Sequence, residues 1–573
     1  MSVVNCYPVL LLLGVTSTLG ISNVGWWKNT AFYQIYPRSF MDSNGDGIGD
    51  LKGITSKLEH FKDAGIGGVW LSPIFASPMK DFGYDISDFK AIQPEYGTMS
   101  DFEELTGKAK SLGLKVILDL VPNHASDQSE WFKMSVQKIQ PYTDYFMWVA
   151  GEPNKPPNNW ISVFGKSAWT YHPVRKEWYF HQFLAEQPDL NYRNTHVQLA
   201  MADVIWFWLE KGVDGFRVDA VPHLFEVADL RNEPKSNVTG ALDDEYTYLE
   251  HLYTKDQPET YRLVKQWRAL LDVYAELNNL DEKIMMTEAY TSLDKTVEFY
   301  DSGAQVPFNF KFITDVNNTS PPSEFKKIID LWMVEANKRN ATANWVMGNH
   351  DRVRTETRYP GRGDQMMMLE MILPGVSVTY YGEEIGMVDK DDITYEETQD
   401  PQGCLAGPDR YKQRSRDPCR TPFQWNTAKN AGFSTGNKTW IPVNDNYKTL
   451  NLAAQKSTSV SWFNLFRNLT MLRKNSPALS SKNVESIVSN NDQVLTIVRT
   501  QPTNYPGRNY TVILVLNFNL TQAQTVNLTN IIPQAGVATV TMATLKSSLQ
   551  QGAQVNLANL RLGPKDGLVL AIN

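Results

Sequence analysis

One rhythm constrains this chain more than any other feature. Short apolar, β-branched runs alternate with helical stretches over roughly 350 residues. Phe32–Tyr36, Gly68–Leu71, Lys115–Val121, Gly215–Ala220, Ile284–Glu288, Asn344–Met347 and Val376–Tyr381 read as strands. Asp101–Leu112 and Val197–Lys211 read as helices between them. Such alternation indicates parallel βαβ units. With this many units a closed (β/α)8 barrel is the leading architecture, and an open doubly wound sheet is the alternative.

The rhythm breaks twice. From Pro122 to Asn194 the chain is rich in Pro, Asn, Trp and Tyr, with no clear helix. That is too long for a plain loop and predicts an inserted domain over 122–194. The barrel is then expected over 23–121 and 195–479. From residue 480 onward strand patterns dominate, in Val494–Val498, Thr511–Phe518 and Leu568–Ile572. This predicts a C-terminal β domain over 480–573.

The ends speak to compartment. Val9–Val15 is an apolar core followed by small residues, and residues 1–22 read as a signal peptide, although no Lys or Arg precedes the core. The run is too short to span a membrane. Once Cys6 is removed, Cys404 and Cys419 remain, a pair expected to form a disulfide in an oxidising compartment. Glycosylation sequons at Asn237, Asn317, Asn318, Asn340, Asn437, Asn468, Asn509, Asn519 and Asn527 point the same way. Lys plus Arg is 55 against 63 Asp plus Glu, a formal charge of −8, so nucleic acid is not an expected partner.

The chemistry lies in acids at strand ends. Asp119, Asp219 and Glu288 each close an apolar run, and Asp351 follows Asn349-His350. In a parallel barrel the C-terminal strand ends meet at one mouth, where active sites sit. A carboxylate there is costly to desolvate unless paired or working. Carboxylates without a thiol, serine nucleophile or zinc signature suit glycoside hydrolysis, which needs one ionised and one protonated acid. Arg217 shares a strand face with Asp219 and would hold it ionised. Glu288 would be the acid of raised pKa.

With these residues in view, the chain resembles the α-amylase superfamily of retaining glycoside hydrolases, in its α-glucosidase and oligo-1,6-glucosidase branch and above all its insect maltases. The resemblance rests on Asp119–His124, Gln187–Asn191, Gly215–Ala220, Thr287–Ala289 and Gly348–Asp351, in the family's order. It implies a TIM barrel, an inserted domain after strand 3 and a C-terminal antiparallel β-sandwich. It implies Asp219 as nucleophile, Glu288 as acid/base and Asp351 as the third carboxylate. His124, Arg217 and His350 match residues lining the first sugar subsite, and Asp81 and Tyr84 those that bind and stack on the terminal glucose. Within Arg416–Pro422 an Arg would reach that glucose, Arg420 in preference to Arg416. Ala220, next to the nucleophile, is small where relatives that cut α-1,6 bonds carry Val, and this implies an α-1,4 preference. His223 is read as packing.

Asp42, Asn44, Asp46 and Asp50 alternate around glycines in the pattern of a calcium loop, with the Ile48 carbonyl as a further ligand. Gly53 stands where an EF-hand has its closing glutamate, so a lone Ca2+ site is expected, and no organic cofactor. The sequence thus predicts a secreted, extracellular exo-α-glucosidase acting on maltose-like and sucrose-like sugars, in a digestive setting by resemblance. The rivals are an endo-acting α-amylase, against which Gln187–Asn191 argues, and a non-enzymatic binding relative such as a transporter heavy chain, which needs a membrane span.

Overall fold

The computed structural model describes residues 20–502, 510–532 and 536–572. The predicted leader core and Asn509 lie outside the described residues. Eight parallel strands form the central sheet: β1 (Ala31–Ile35), β2 (Gly68–Leu71), β3 (Lys115–Leu120), β4 (Gly215–Val218), β5 (Ile284–Thr287), β6 (Val306–Pro307), β7 (Asn344–Val346) and β8 (Val376–Tyr380). Their order is β6-β5-β4-β3-β2-β1-β8-β7. This is the (β/α)8 barrel, and the open-sheet alternative is discarded. Between β6 and β7 no strand pairing is present among the described residues. The Asn344 amide spans that seam instead, accepting from Asn309 N at 2.8 Å and donating to the Pro307 carbonyl at 2.6 Å.

Strand alternation sorts the side chains. Val69, Leu71, Val116, Leu118, Phe216, Val218 and Met285 face outward, into the main core shared with the helices. Phe32, Trp70, Ile117, Ile284, Met286 and Val346 make a separate cluster inside the barrel. Asp119, Arg217 and Glu288 share the parity of that inner set, so the apolar plug ends upward in a charged layer. Close strand contact needs Gly215, where a Cβ would fall 2.2 Å from the Ile284 carbonyl oxygen.

Between β3 and the helix Thr195–Glu210 the chain forms a three-stranded antiparallel sheet, Trp148–Ala150, Glu177–Phe180 and Trp169–His172, over a small core of Trp160, Ala168, Trp169, Trp178 and Phe180. One helix absent from the sequence reading is present there, Glu130–Val136, started by the Ser129 hydroxyl accepting from Phe132 N. The C-terminal region pairs Val484–Ser489, Val494–Thr500, Thr511–Asn517, Gly567–Ile572, Val537–Ala543 and Gln554–Asn556 in one antiparallel sheet, and Gln524–Val526 with Leu560–Leu562 in another. No helix among the described residues is long and apolar enough to cross a membrane. Of the sequon asparagines, Asn237, Asn317, Asn340, Asn437, Asn468 and Asn527 are exposed, and Asn318 and Asn519 half-buried.

The expected disulfide is not formed: Cys404 and Cys419 are free thiols. Cys419 is buried in the turn Asp417–Arg420, its Sγ against the carbonyls of Arg416 (3.1 Å) and His350 (3.4 Å). Cys404 is exposed, its Sγ facing the Thr398 carbonyl at 3.6 Å. The two segments are joined by an ion pair instead, Asp400 to Arg416 at 2.6 Å.

Candidate active site

One guanidinium organises the barrel mouth. Arg217, 1% exposed, meets Asp119 Oδ1 at 2.8 Å, Asp219 Oδ1 at 2.5 Å and Glu288 Oε2 at 2.9 Å. The Trp70 ring lies 4.9 Å beneath it. A single positive charge cannot hold three buried negative ones. Burial therefore pushes the acids up against the opposing pull of Arg217: Asp219 to about 6, Asp119 to about 7 and Glu288 to about 8, the last helped by the charges of Asp219 and Asp351. Asp219 is thus the first of the three to ionise and Glu288 the last. Asp219 is nonetheless raised, not lowered, because desolvation outweighs its ion pair.

Beside Asp219, Ala220 adopts a left-handed backbone (φ 46°), unusual for a residue with a Cβ. That turn aims its N–H at Glu288 Oε2, 3.0 Å away. Two consecutive residues after β4 thus supply one acid and fix the other.

A relay links Asp119 to the far side. Gln34 Nε2 lies 2.7 Å from His350 Nδ1, His350 Nε2 lies 2.7 Å from the Tyr84 hydroxyl, and that hydroxyl donates to Asp119 Oδ2 at 3.1 Å. The bonding pattern assigns the imidazole proton to Nε2. Tyr84 and His350 stack, ring centroids 5.3 Å apart. Burial keeps His350 neutral and lowers His124 to about 4; His124 Nε2 donates to the Tyr84 carbonyl at 2.9 Å.

A second guanidinium closes the pocket. Arg416 meets Asp81 at 2.9 Å, Asp351 at 3.0 Å and Asp400 at 2.6 Å. Asp81 also accepts from Gln187 Nε2 at 3.2 Å, and burial raises it to about 6 despite Arg416. Burial acts on Asp351 too, but the guanidiniums of Arg416 and Arg420 overcome it and hold the carboxyl far below the usual range. Arg420 lies behind Asp351, fully buried, bonded to Asp351 Oδ1 (2.9 Å) and the His350 carbonyl (2.7 Å). Of the two candidate arginines, Arg416 therefore bridges Asp81 and Asp351 at the pocket, and Arg420 backs it.

Residues 34–482 match the family described as alpha amylase, catalytic domain. The chain belongs to that family. It is 47% identical to Maltase 1 of Drosophila virilis over 562 residues, covering 96% of this chain and 87% of the relative. It is 46% identical to the salivary alpha-glucosidase of Aedes aegypti, over 98% of this chain and 97% of that one. Among solved structures, the alpha-glucosyl transfer enzyme XgtA superposes with a TM-score of 0.82 at 32% identity, covering 96% of this chain and 99% of that one.

The residues that the alpha-amylase resemblance nominated gather around the two arginine clusters and the relay, with Ala220 on Glu288, His124 on the Tyr84 carbonyl and Arg420 behind Asp351. Sequence reasoning missed Asp400, Asp85, Gln34 and Phe164. Asp85 organises the loop carrying Asp81 by accepting from Ser77 Oγ, Lys80 N and Asp81 N at 2.8–3.0 Å. Gln34 sits on β1 among apolar neighbours, which was the available signal. Phe164 lies under the Arg416 guanidinium at 5.3 Å, and nothing in its sequence context marks it. His223, read as packing, stands edge-on to Phe183, 5.7 Å between centroids.

The Asp42–Asp50 loop is a nest of turns. Asp42 accepts from Asn44 N, Gly45 N, Gly47 N and Ser434 Oγ, and Asp50 from Ser43 N and Gly53 N, as the cap of the helix Leu51–Ser56. Asn44 Oδ1 accepts from Asp46 N, and Asp46 Oδ1 from Ile48 N. Among the described residues no three His, Cys, Asp or Glu side chains converge to hold a metal. The expected Ca2+ set adds to the carboxylates of Asp42, Asp46 and Asp50 the amide oxygen of Asn44 and the Ile48 carbonyl.

Proposed function

We propose that this chain is a secreted retaining exo-α-glucosidase, releasing glucose from the non-reducing ends of maltose, α-1,4-linked malto-oligosaccharides and sucrose. The observation that carries the reading is Arg217 holding Asp219 and Glu288 on one guanidinium, at 2.5 and 2.9 Å. Retention requires two acids ~5 Å apart with separated pKa values. Asp219, ionised above about pH 6, attacks the anomeric carbon. Glu288, protonated below about pH 8, gives its proton to the leaving glycosidic oxygen. The carboxylate so formed then takes a proton from water, whose oxygen displaces Asp219 from the glycosyl-enzyme. Asp351 and Arg416 face the same pocket and suit sugar hydroxyls. The end formed by Asp81, Arg416 and Asp400 favours a terminal sugar over the middle of a chain. The family and its maltase and α-glucosidase members support the activity.

The decisive experiment is one panel of maltose, sucrose, isomaltose, trehalose and starch, with the first-formed glucose anomer read by proton NMR. α-Glucose released from maltose at least tenfold faster than from isomaltose is expected. β-Glucose as first product, or starch attacked faster than maltose, overturns retention or the exo mode respectively. Secretion, glycosylation and calcium belong to the same proposal. Loss of residues 1–22, a mass drop with a glycan-removing enzyme and a lower Tm on chelation are the expected results.

A further inference from the structure

Arg416 touches two groups of the sugar pocket, Asp81 and Asp351, yet it belongs to an excursion that passes over the mouth. Two short helices precede it, Pro401–Ala406 and Tyr411–Arg414. The second has no buried residue; its own-side anchor is Tyr411, edge-on to Tyr395 with centroids 5.4 Å apart and donating to the Ile393 carbonyl at 3.2 Å. Its ties to the loop after β4 are charges. Arg414 pairs with Glu245, and Arg410 reaches Asp244 at 3.6 Å and Glu245 at 3.9 Å. These pairs are partly exposed, with Arg414 at 45% and Arg410 at 39% of their side chains.

The other side of the joint is built differently. Lys166 N donates to the Asp244 carbonyl at 2.7 Å, and a Cβ on Gly165 would come within 2.9 Å of the same oxygen. The loop is thus bound to the inserted sheet region by backbone. Beneath the ion pairs lies a cavity of about 50 Å³ lined by Phe164, Gly165, Leu405, Ala406 and the charged residues. Phe164 continues toward the pocket: its ring is 5.6 Å from Phe183, which is 5.2 Å from His124.

We propose that Arg414 and Arg410, with Glu245 and Asp244, form an ionic latch that positions Arg416, two residues beyond Arg414, against Asp81 and Asp351. The fixed jaw is the loop held to the inserted region; the releasable jaw is the segment 401–416. This rests on the α-glucosidase reading for its kinetic arm alone. Latched, Arg416 is pre-set for a terminal sugar; unlatched, substrate binding must first order the segment, which raises KM. Exposed ion pairs are screened by salt, so the device is salt-sensitive.

The test uses the full-length protein with Arg414→Ala, and with the charge exchange Arg414→Glu plus Glu245→Arg. Arg414→Ala should raise KM for maltose about fivefold with kcat within twofold and Tm unchanged. Wild-type KM should rise similarly at 0.5 M NaCl, and the variant's should not rise further. The charge exchange should restore KM to within twofold. Hydrogen–deuterium exchange, which needs no activity, should quicken in 401–416 and not in 244–246. An Arg414→Ala enzyme with wild-type KM, a charge exchange that fails to rescue, or unaltered exchange in 401–416 overturns the latch. A protein inactive on every α-glucoside but quickened in 401–416 would sink the functional reading and leave the latch standing.

Discussion

Two arginines each gather three carboxylates, and they are built in opposite ways. Arg217 stands on a barrel strand, within two residues of one partner and facing strand ends for the others. Arg416 stands on an excursion, with partners at positions 81, 351 and 400. The strand cluster leaves its acids with raised pKa values, set apart for proton transfer. The loop cluster has a second guanidinium, Arg420, behind it, and its Asp351 stays ionised. On the proposed reading, barrel strands would carry the reacting groups and the excursion the grip. This predicts that damage to the first cluster appears in kcat and in stability, and damage to the second in KM.

The largest effect should come from Asp219→Asn. Loss of the covalent route is expected to lower kcat by about four decades or more, at ~1.4 kcal/mol per decade, with the fold intact by circular dichroism. Activity within tenfold of wild type in contaminant-free enzyme would remove Asp219 from the role of nucleophile. Arg217→Lys comes next. A point charge cannot fork to several carboxylates, and a buried pair broken on one side typically costs ~3–5 kcal/mol, readable by urea unfolding.

Arg416→Lys should be milder and of a different kind. Charge-assisted hydrogen bonds are worth ~1.5–3 kcal/mol, so KM for maltose should rise roughly tenfold or more, while kcat falls less. Equal losses in kcat and KM would erase the distinction between the two clusters. The pH profile sharpens it further. The rate kcat/KM should climb as Asp219 ionises near pH 6 and decline as Glu288 loses its proton near pH 8. In Arg217→Lys the acid limb should move upward, because the forked guanidinium favoured the ionised form; in Arg416→Lys it should stay. The smallest effect is expected from Ala220→Val. A β-branched residue in the left-handed conformation at φ 46° costs ~1–2 kcal/mol and disturbs the N–H that holds Glu288. The maltose-to-isomaltose ratio of kcat/KM should narrow, and an unchanged ratio would free Ala220 from the role of selector.

The same contrast explains what was legible in the sequence. Strand-borne groups announce themselves, since a charge closing an apolar run is visible in a window of six residues, as with Asp119, Asp219 and Glu288. Seven of the eight strands were readable from their apolar, β-branched runs. The eighth, Val306–Pro307, is two residues long and contains a proline, so no periodicity marks it. Asp400 was opaque, and Arg416 could not be told from Arg420, because their meaning is spatial. Asp400 precedes a proline in a polar stretch, and Arg416 is 335 positions from Asp81. The cysteine pair misled because spacing alone says nothing of direction, and the two thiols face different carbonyls.

The Asn344 bridge has a mechanical meaning. A hoop shares load around its circumference, but this sheet is a strip of eight strands whose two ends are joined by side chains: the Asn344 amide, Tyr300 Oη donating to the Thr342 carbonyl at 2.7 Å, and Asn349 Nδ2 donating to Tyr290 Oη at 2.8 Å. Opening at that clasp would leave the ion-pair partners of Arg217 together, since they stand at the ends of β3, β4 and β5. It would instead bear on the reach from Glu288, after the next-to-last strand β5, to Asp351, after β7 at the opposite end. The seam thus lies between Glu288 and Asp351, and Asn344, far down the wall, fastens it below the bond from Asn349 to Tyr290.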